Sequence, residues 1–239
     1  MAIETTPEEA DLFDDIGKHA ISLWEKSKGI EGLSTDPKMF SIMMFKRLVS
    51  NQQGYALLWK NGFSLEGDII LRAGIEAAIC IAANEAMRDG FVELLHRDAC
   101  FTIKGQVTMF RDDGDDERAR EAEATLREML STRPEGFKPA RLIWKELADA
   151  GGVPQLYVWH RGLSGMSSHV TGASVLRAIA SPETGEIAVI ERKMHLMMMA
   201  GATLQGSRRH AAMLEDQEDR KSTRLNSSHI QKSRMPSSA

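Results

Sequence analysis

The segment SLEGDIILRAGIEAAICIAANEAM, residues 64–87, limits the fold of this chain more than any other. Ile, Leu and Ala line its middle continuously, and Arg72 and Glu76 are the charged interruptions there. A helix that is apolar on every side has to be enclosed by other elements. The uninterrupted part is too short for a membrane span. The segment therefore predicts the central helix of an all-α protein, with other helices packed around it.

The flanking sequence supplies those neighbours. Thr6-Pro7-Glu8-Glu9 has a capping hydroxyl, a first-turn proline and a glutamate placed to complete a capping box. Leu12, Ile16, Ala20 and Leu23 then recur on one face, and Lys28-Gly29 suggests the end. Asp36-Pro37 opens a second helix that runs to about Lys60 and stops at Asn61-Gly62. A fourth is expected over 91–110 and a fifth over 117–130, with a short one around 141–148. Residues 155–177 have helical tendency but are expected to break at Gly162, Gly165 and Gly172. PETGEIAV reads as a short hairpin or as the lead into a last helix near 187–215. On that helix Gly201 would let a neighbour approach closely. Short connections favour successive antiparallel helices. No series of β-branched strands alternates with them, which disfavours a parallel sheet. The expected architecture is an all-α, antiparallel helical bundle with smaller peripheral helices, forming a single helical domain over 1–218.

Residues 219–239 are set apart as a disordered tail of non-native appearance. KSTRLNSSHIQKSRMPSSA has no helical or strand period and resembles the translation of a sequencing-library adapter. No function is attached to Lys221 onward, His229 included, and the natural C-terminal residues are expected to be missing. The tail also distorts the charge. The chain carries 30 Lys and Arg against 34 Asp and Glu, but residues 221–239 hold four of the basic residues and no acid. The remaining body is more acidic, which argues against a broad nucleic-acid face while leaving room for a local basic pocket. Cys80 and Cys100 lie in apolar helical stretches and read as buried thiols in a reducing compartment. The N-terminal residues lack a signal-peptide pattern. A cytoplasmic, non-membrane protein is expected.

Two groups of residues could carry chemistry. Arg72 and Glu76 are four apart and share a helical face. Inside so apolar a segment each needs a partner or water. They are either a structural ion pair or part of a polar pocket, with Arg72 holding an anion and Glu76 orienting it or acting as a base. The second group is Tyr157, His160, Arg161, Ser164, Ser168 and His169, which combines donors and titratable groups with nearby glycines. From these, Ser164 and His169 join Arg72 and Glu76 as the candidate catalytic set. Other templates fail. Asp112-Asp113-Gly114-Asp115-Asp116-Glu117 lacks EF-hand spacing and reads as a solvated turn. Glu93-x-x-His96 is one copy of a unit that a di-iron bundle needs twice. Zinc, Walker and Rossmann motifs are absent, and Gly165-Met166-Ser167-Ser168-His169 is not a nucleophile elbow. No cofactor and no metal are expected.

Through Leu71-Arg72-Ala73-Gly74-Ile75-Glu76-Ala77-Ala78 and the later Tyr157, Leu163-Ser164 and His169, the chain resembles the helical bacterial proteins of the domain of unknown function 5677 group. The resemblance could cover about 35–215. It implies a helical fold, supplies almost no established reaction, and suggests a setting in stress response or mobile-element biology. Tyr157 stands farther from Leu163 than the group's pattern has it. These features are also distantly similar to small helical-bundle ribonucleases in which Arg and His from one helix face RNA. In Arg161-Gly-Leu-Ser-Gly-Met-Ser-Ser-His169, however, Gly162 replaces their polar residue and the spacing is longer. The expected function is that of a helical accessory or interaction domain with a protein partner or a second copy of itself, through Met197 and Met198 on the last helix. The alternative is a phosphodiester- or nucleotide-processing enzyme, such as a divergent ribonuclease, taking RNA or another phosphate-containing ligand.

Overall fold

In a computed structural model of the chain, residues 6–33, 35–166, 172, 175–176 and 186–232 are described. They form an all-α bundle without strands among the described residues. The helices are α1 (Pro7–Ser27), α2 (Pro37–Lys60), α3 (Ser64–Met87), α4 (Asp89–Asp112), α5 (Asp116–Ser131), α6 (Trp144–Ala150), α7 (Pro154–Met166) and α8 (Glu186–Lys232). The sequence signals at the first two helix starts act as expected. Thr6 Oγ1 accepts from the Glu9 amide at 3.3 Å, and Glu9 Oε2 accepts from the Thr6 amide at 3.0 Å, which closes the capping box. The Asp36 carboxylate caps α2 through the Lys38 amide at 2.8 Å.

Helix α3 is the axis of the molecule and touches α2, α4, α6, α7 and α8. Leu71, Ile75, Ala78, Ile79, Ile81, Ala82 and Ala83 are fully buried, so the apolar middle of the segment is explained by the helices packed around it. Each large aliphatic side chain buried this way contributes roughly 1.5–3 kcal/mol.

Contacts fix the helix directions. The Asn84 side-chain amide donates to the Pro37 carbonyl at 2.7 Å, while Gly67 faces Tyr55 at the other end, so α2 and α3 are antiparallel. Helix α8 runs alongside α3 in the same direction. His195 meets Asp68, Met199 covers Gly74, and Arg209 Nη1 donates to Glu85 at 2.9 Å. On the other side of α8, Lys193 pairs with Glu9 at 2.9 Å and His210 reaches Ser27, which brings in α1. Helices α4 and α5 make a hairpin clasped by the Arg111–Glu123 ion pair. The 132–143 connection returns along α4, where the Ala140 amide donates to the Arg97 carbonyl at 3.2 Å and the Leu142 amide to Asp98 at 2.9 Å.

Three expectations meet a different outcome. Gly162 and Gly165 do not break α7, which continues to Met166. Each glycine costs about 1 kcal/mol of helix propensity. Burial of Leu156, His160 and Leu163 on one face outweighs that cost. Helix α8 extends beyond 215 to Lys232, and its packing against the bundle is seen from Lys193 to Met213. Met197 and Met198 are half-buried, and the exposed apolar side chains beside them are Ile190 and Met194. Gly201 does receive a neighbour: an added Cβ would lie 3.2 Å from the Trp159 ring of α7. Residues 182–185, where a hairpin was the alternative, lie outside the described residues. Among the described residues no helix is long and apolar enough to cross a membrane.

Candidate functional site

Asp68, Arg72 and Glu76 stand four residues apart on α3 and make a charged stripe on an otherwise apolar helix. Groups so placed need partners from the neighbouring helices. Arg72 Nε lies 3.3 Å from Glu76 Oε1, so the i,i+4 pair expected from the sequence forms. It does not stand alone. Helix α7 crosses here and presents His160, whose Nε2 is 3.0 Å from the same Glu76 oxygen. The imidazole is nearly enclosed, with 7% of its side chain exposed, against 23% for Arg72 and 25% for Glu76.

The arrangement fixes the proton on the ring. A carboxylate only accepts, so His160 Nε2–H donates to Glu76. Arg72 Nε also lies 3.4 Å from that nitrogen, but a protonated Nε2 has no lone pair to offer. The Arg72 N–H is therefore directed to Glu76, which gathers both donors. His160 Nδ1 is buried and has no hydrogen-bond partner among the described residues. An unsatisfied buried group of this kind costs about 1–3 kcal/mol. Trp144 packs over the ring with centroids 5.2 Å apart, and Tyr157 lies at 6.4 Å.

Above His160 is a cleft of about 390 Å³, lined by Arg141, Leu142, Ile143, Trp144, Lys145, Tyr157, His160, Arg161 and Ser164. Its rim is cationic. Lys145 is paired with Asp149 at 2.5 Å, and Arg161 meets the Tyr157 hydroxyl at 3.4 Å. Arg141 stacks over Phe101 at 4.9 Å. Ser164 donates its hydroxyl to the His160 carbonyl at 2.7 Å, the back-bond usual for serine within a helix.

Of the four residues chosen from sequence, Arg72 and Glu76 meet at His160, and Ser164 lies one turn farther along α7 at the cleft. His169 lies outside the described residues. The histidine that engages the pair is His160, a member of the second sequence group that was not selected. Its signal was its place between Leu156 and Leu163, on the face of α7 that must turn inward. A second carboxylate–imidazole pair escaped notice. His195 Nδ1 lies 2.6 Å from Asp68 Oδ1, beside a cavity of about 20 Å³ that Tyr55, Ser64 and Arg192 also line. The four-residue repeat from Asp68 to Arg72 to Glu76 was the available clue.

The remaining motifs have structural explanations. Glu93 accepts from Arg97 Nε at 3.0 Å, while His96 sits edge-on to Phe40, and burial lowers its pKa. Among the described residues no three His, Cys, Asp or Glu side chains converge as metal ligands do. Comparison with models of known protein families, with curated proteins and with solved structures gives no match. The resemblance drawn from the sequence rests on residues 71–78 and the later 157–169 pattern alone.

Proposed function

We propose that the chain is a helical accessory domain that binds a small anionic group in the cleft between α6, α7 and the 132–143 connection. One observation carries this reading. Arg141 and Arg161 line a single concavity, and neither has a carboxylate partner among the described residues. By contrast, Arg97, Arg111, Arg118 and Arg209 each pair with an acid. Guanidinium groups offer forked donors suited to phosphate and carboxylate. Two guanidinium groups without a carboxylate partner among the described residues also attract anions over a distance, even on an acidic body. The buried thiols fit a reducing cytoplasm, since burial pushes Cys80 up to about 12 and leaves it unreactive.

The test is calorimetric titration with inorganic phosphate at low ionic strength. Saturable binding should appear, fade with added salt, and weaken on the order of tenfold in Arg161→Ala. An absence of heat, together with an unchanged melting temperature in excess phosphate, would remove the reading.

The second reading is phosphodiester or nucleotide chemistry. It is favoured by the carboxylate-held imidazole of His160 next to a guanidinium, directly under the cleft. In it Arg72 stabilises phosphate charge, Glu76 orients the donor, Ser164 contributes a hydroxyl and His169 transfers a proton. RNA incubated with wild type, His160→Asn and His169→Ala should be cleaved by the first and spared by at least one variant that remains folded. RNA left intact by the wild type would eliminate it.

A further inference from the structure

The cleft continues past α6. A second compartment of about 430 Å³ shares Arg141, Leu142 and Trp144 with the first and extends along the outer face of α4. The two halves differ in chemistry. The α7 half holds the cationic rim and is lined by the His160 ring. The α4 half is floored by Phe101 and Met109, with Met109 55% exposed, and Thr102 and Gln106 supply hydrogen-bonding groups at its edge. Gly105 leaves its middle open, since a Cβ added there would meet nothing within 4 Å.

Resting on the anion-binding reading above, we infer that the ligand is a nucleoside monophosphate. Its phosphate lies against Arg161 and the edge of the Arg141 guanidinium, and its base lies over Met109 beside the Phe101–Arg141 stack. Arg141 borders both halves, and its guanidinium lies over the Phe101 ring. A flat heteroaromatic ring suits a floor that is apolar in the middle and polar at the edge. The far end of the groove decides between a mononucleotide and a strand. There Asp112 and Asp113 join Arg141 in the lining, and with Arg141 already holding the first phosphate the two carboxylates repel a following one. One phosphate fits at the cationic end, and a chain of them does not.

Calorimetry on the full chain, with inorganic phosphate, adenosine, adenosine 5′-monophosphate and a short oligoadenylate, separates the possibilities. The monophosphate should bind at least on the order of tenfold more tightly than phosphate, the increment that one stacked base supplies. Gly105→Leu should erase that increment while leaving phosphate affinity within about twofold, because the new side chain fills the base compartment alone. Met109→Asp, at an exposed position, gives an independent block if the first variant does not fold. Arg161→Ala should weaken both ligands together. Equal affinity for phosphate and monophosphate would overturn the nucleotide assignment and leave anion binding standing. No binding of either would overturn both. Adenosine binding as tightly as its monophosphate would remove the phosphate role. Tighter binding of the oligonucleotide would overturn the single-phosphate argument.

Discussion

Replacing Gly151 with alanine is expected to lower the melting temperature by roughly 6–12 °C, the consequence of about 3 kcal/mol lost in a chain of this size. Gly151 sits where α6 gives way to α7, directly against the central helix. An added Cβ would stand 2.8 Å from the carbonyl carbon and Cβ of Ala82 and from the nitrogen of Ala83. These are mostly backbone atoms of a helix packed on every side, so they cannot move aside as a flexible side chain would. The junction itself would have to retreat. It is held by the Gly151 amide donating to Leu147 at 2.9 Å and by Arg209 donating to the Gly151 carbonyl at 3.0 Å. Retreat would strain both bonds and carry Trp144 and His160 away from Glu76, so phosphate affinity should fall along with stability. Thermal melts of Gly151→Ala beside Gly29→Ala check this, because a Cβ at Gly29 meets nothing within 4 Å. Two variants melting together with wild type would show that the contact is not as tight as described.

The same junction shows what local pattern can and cannot reveal. The identity of α3 as the central helix was legible because the middle of 64–87 is almost continuously apolar, with Arg72 and Glu76 its charged interruptions, and such a helix has to be enclosed. The starts of α1 and α2 were legible because capping is decided within four residues. The Arg72–Glu76 pair was legible for the same reason, since i,i+4 spacing is a property of one helix. His160 and His195 were not. Their partners, Glu76 and Asp68, lie 84 and 127 positions away, and the register between packed helices is set by the whole interface. Gly162 and Gly165 misled because propensity is a weak local preference that a buried face can override. His160 turns inward because its helical neighbours Leu156 and Leu163 do, and His169 lies outside the described residues.

His210 should make the bundle sensitive to acid by about 3 kcal/mol, lost between roughly pH 6.5 and pH 4. The ring is fully buried where α1, α2 and α8 meet, stacked on Phe45 with centroids 4.3 Å apart. Both nitrogens are satisfied by hydroxyls. Ser27 donates to the Leu23 carbonyl at 2.8 Å, which leaves its oxygen to accept from His210 Nε2–H at 2.9 Å. Ser41 then donates to Nδ1 at 2.8 Å. This network satisfies a neutral ring in full, and the burial of the ring penalises its charged form. Burial, with the charge of Lys38 adding to it, brings the pKa down from 6.5 to about 4. The unfolded chain therefore takes up a proton near pH 6.5 that the folded chain refuses until about pH 4. Stability from this group is complete above pH 6.5, declines by about 1.4 kcal/mol per pH unit below it, and levels off beneath pH 4. Other groups titrate in that range, so the measurement is a difference. Urea unfolding of wild type and His210→Asn from pH 7 to pH 4 should show the wild type's advantage shrinking by about 3 kcal/mol across the range. An advantage that stays constant would mean that the ring is already protonated inside the fold or open to water, and either outcome contradicts the serine-bounded pocket.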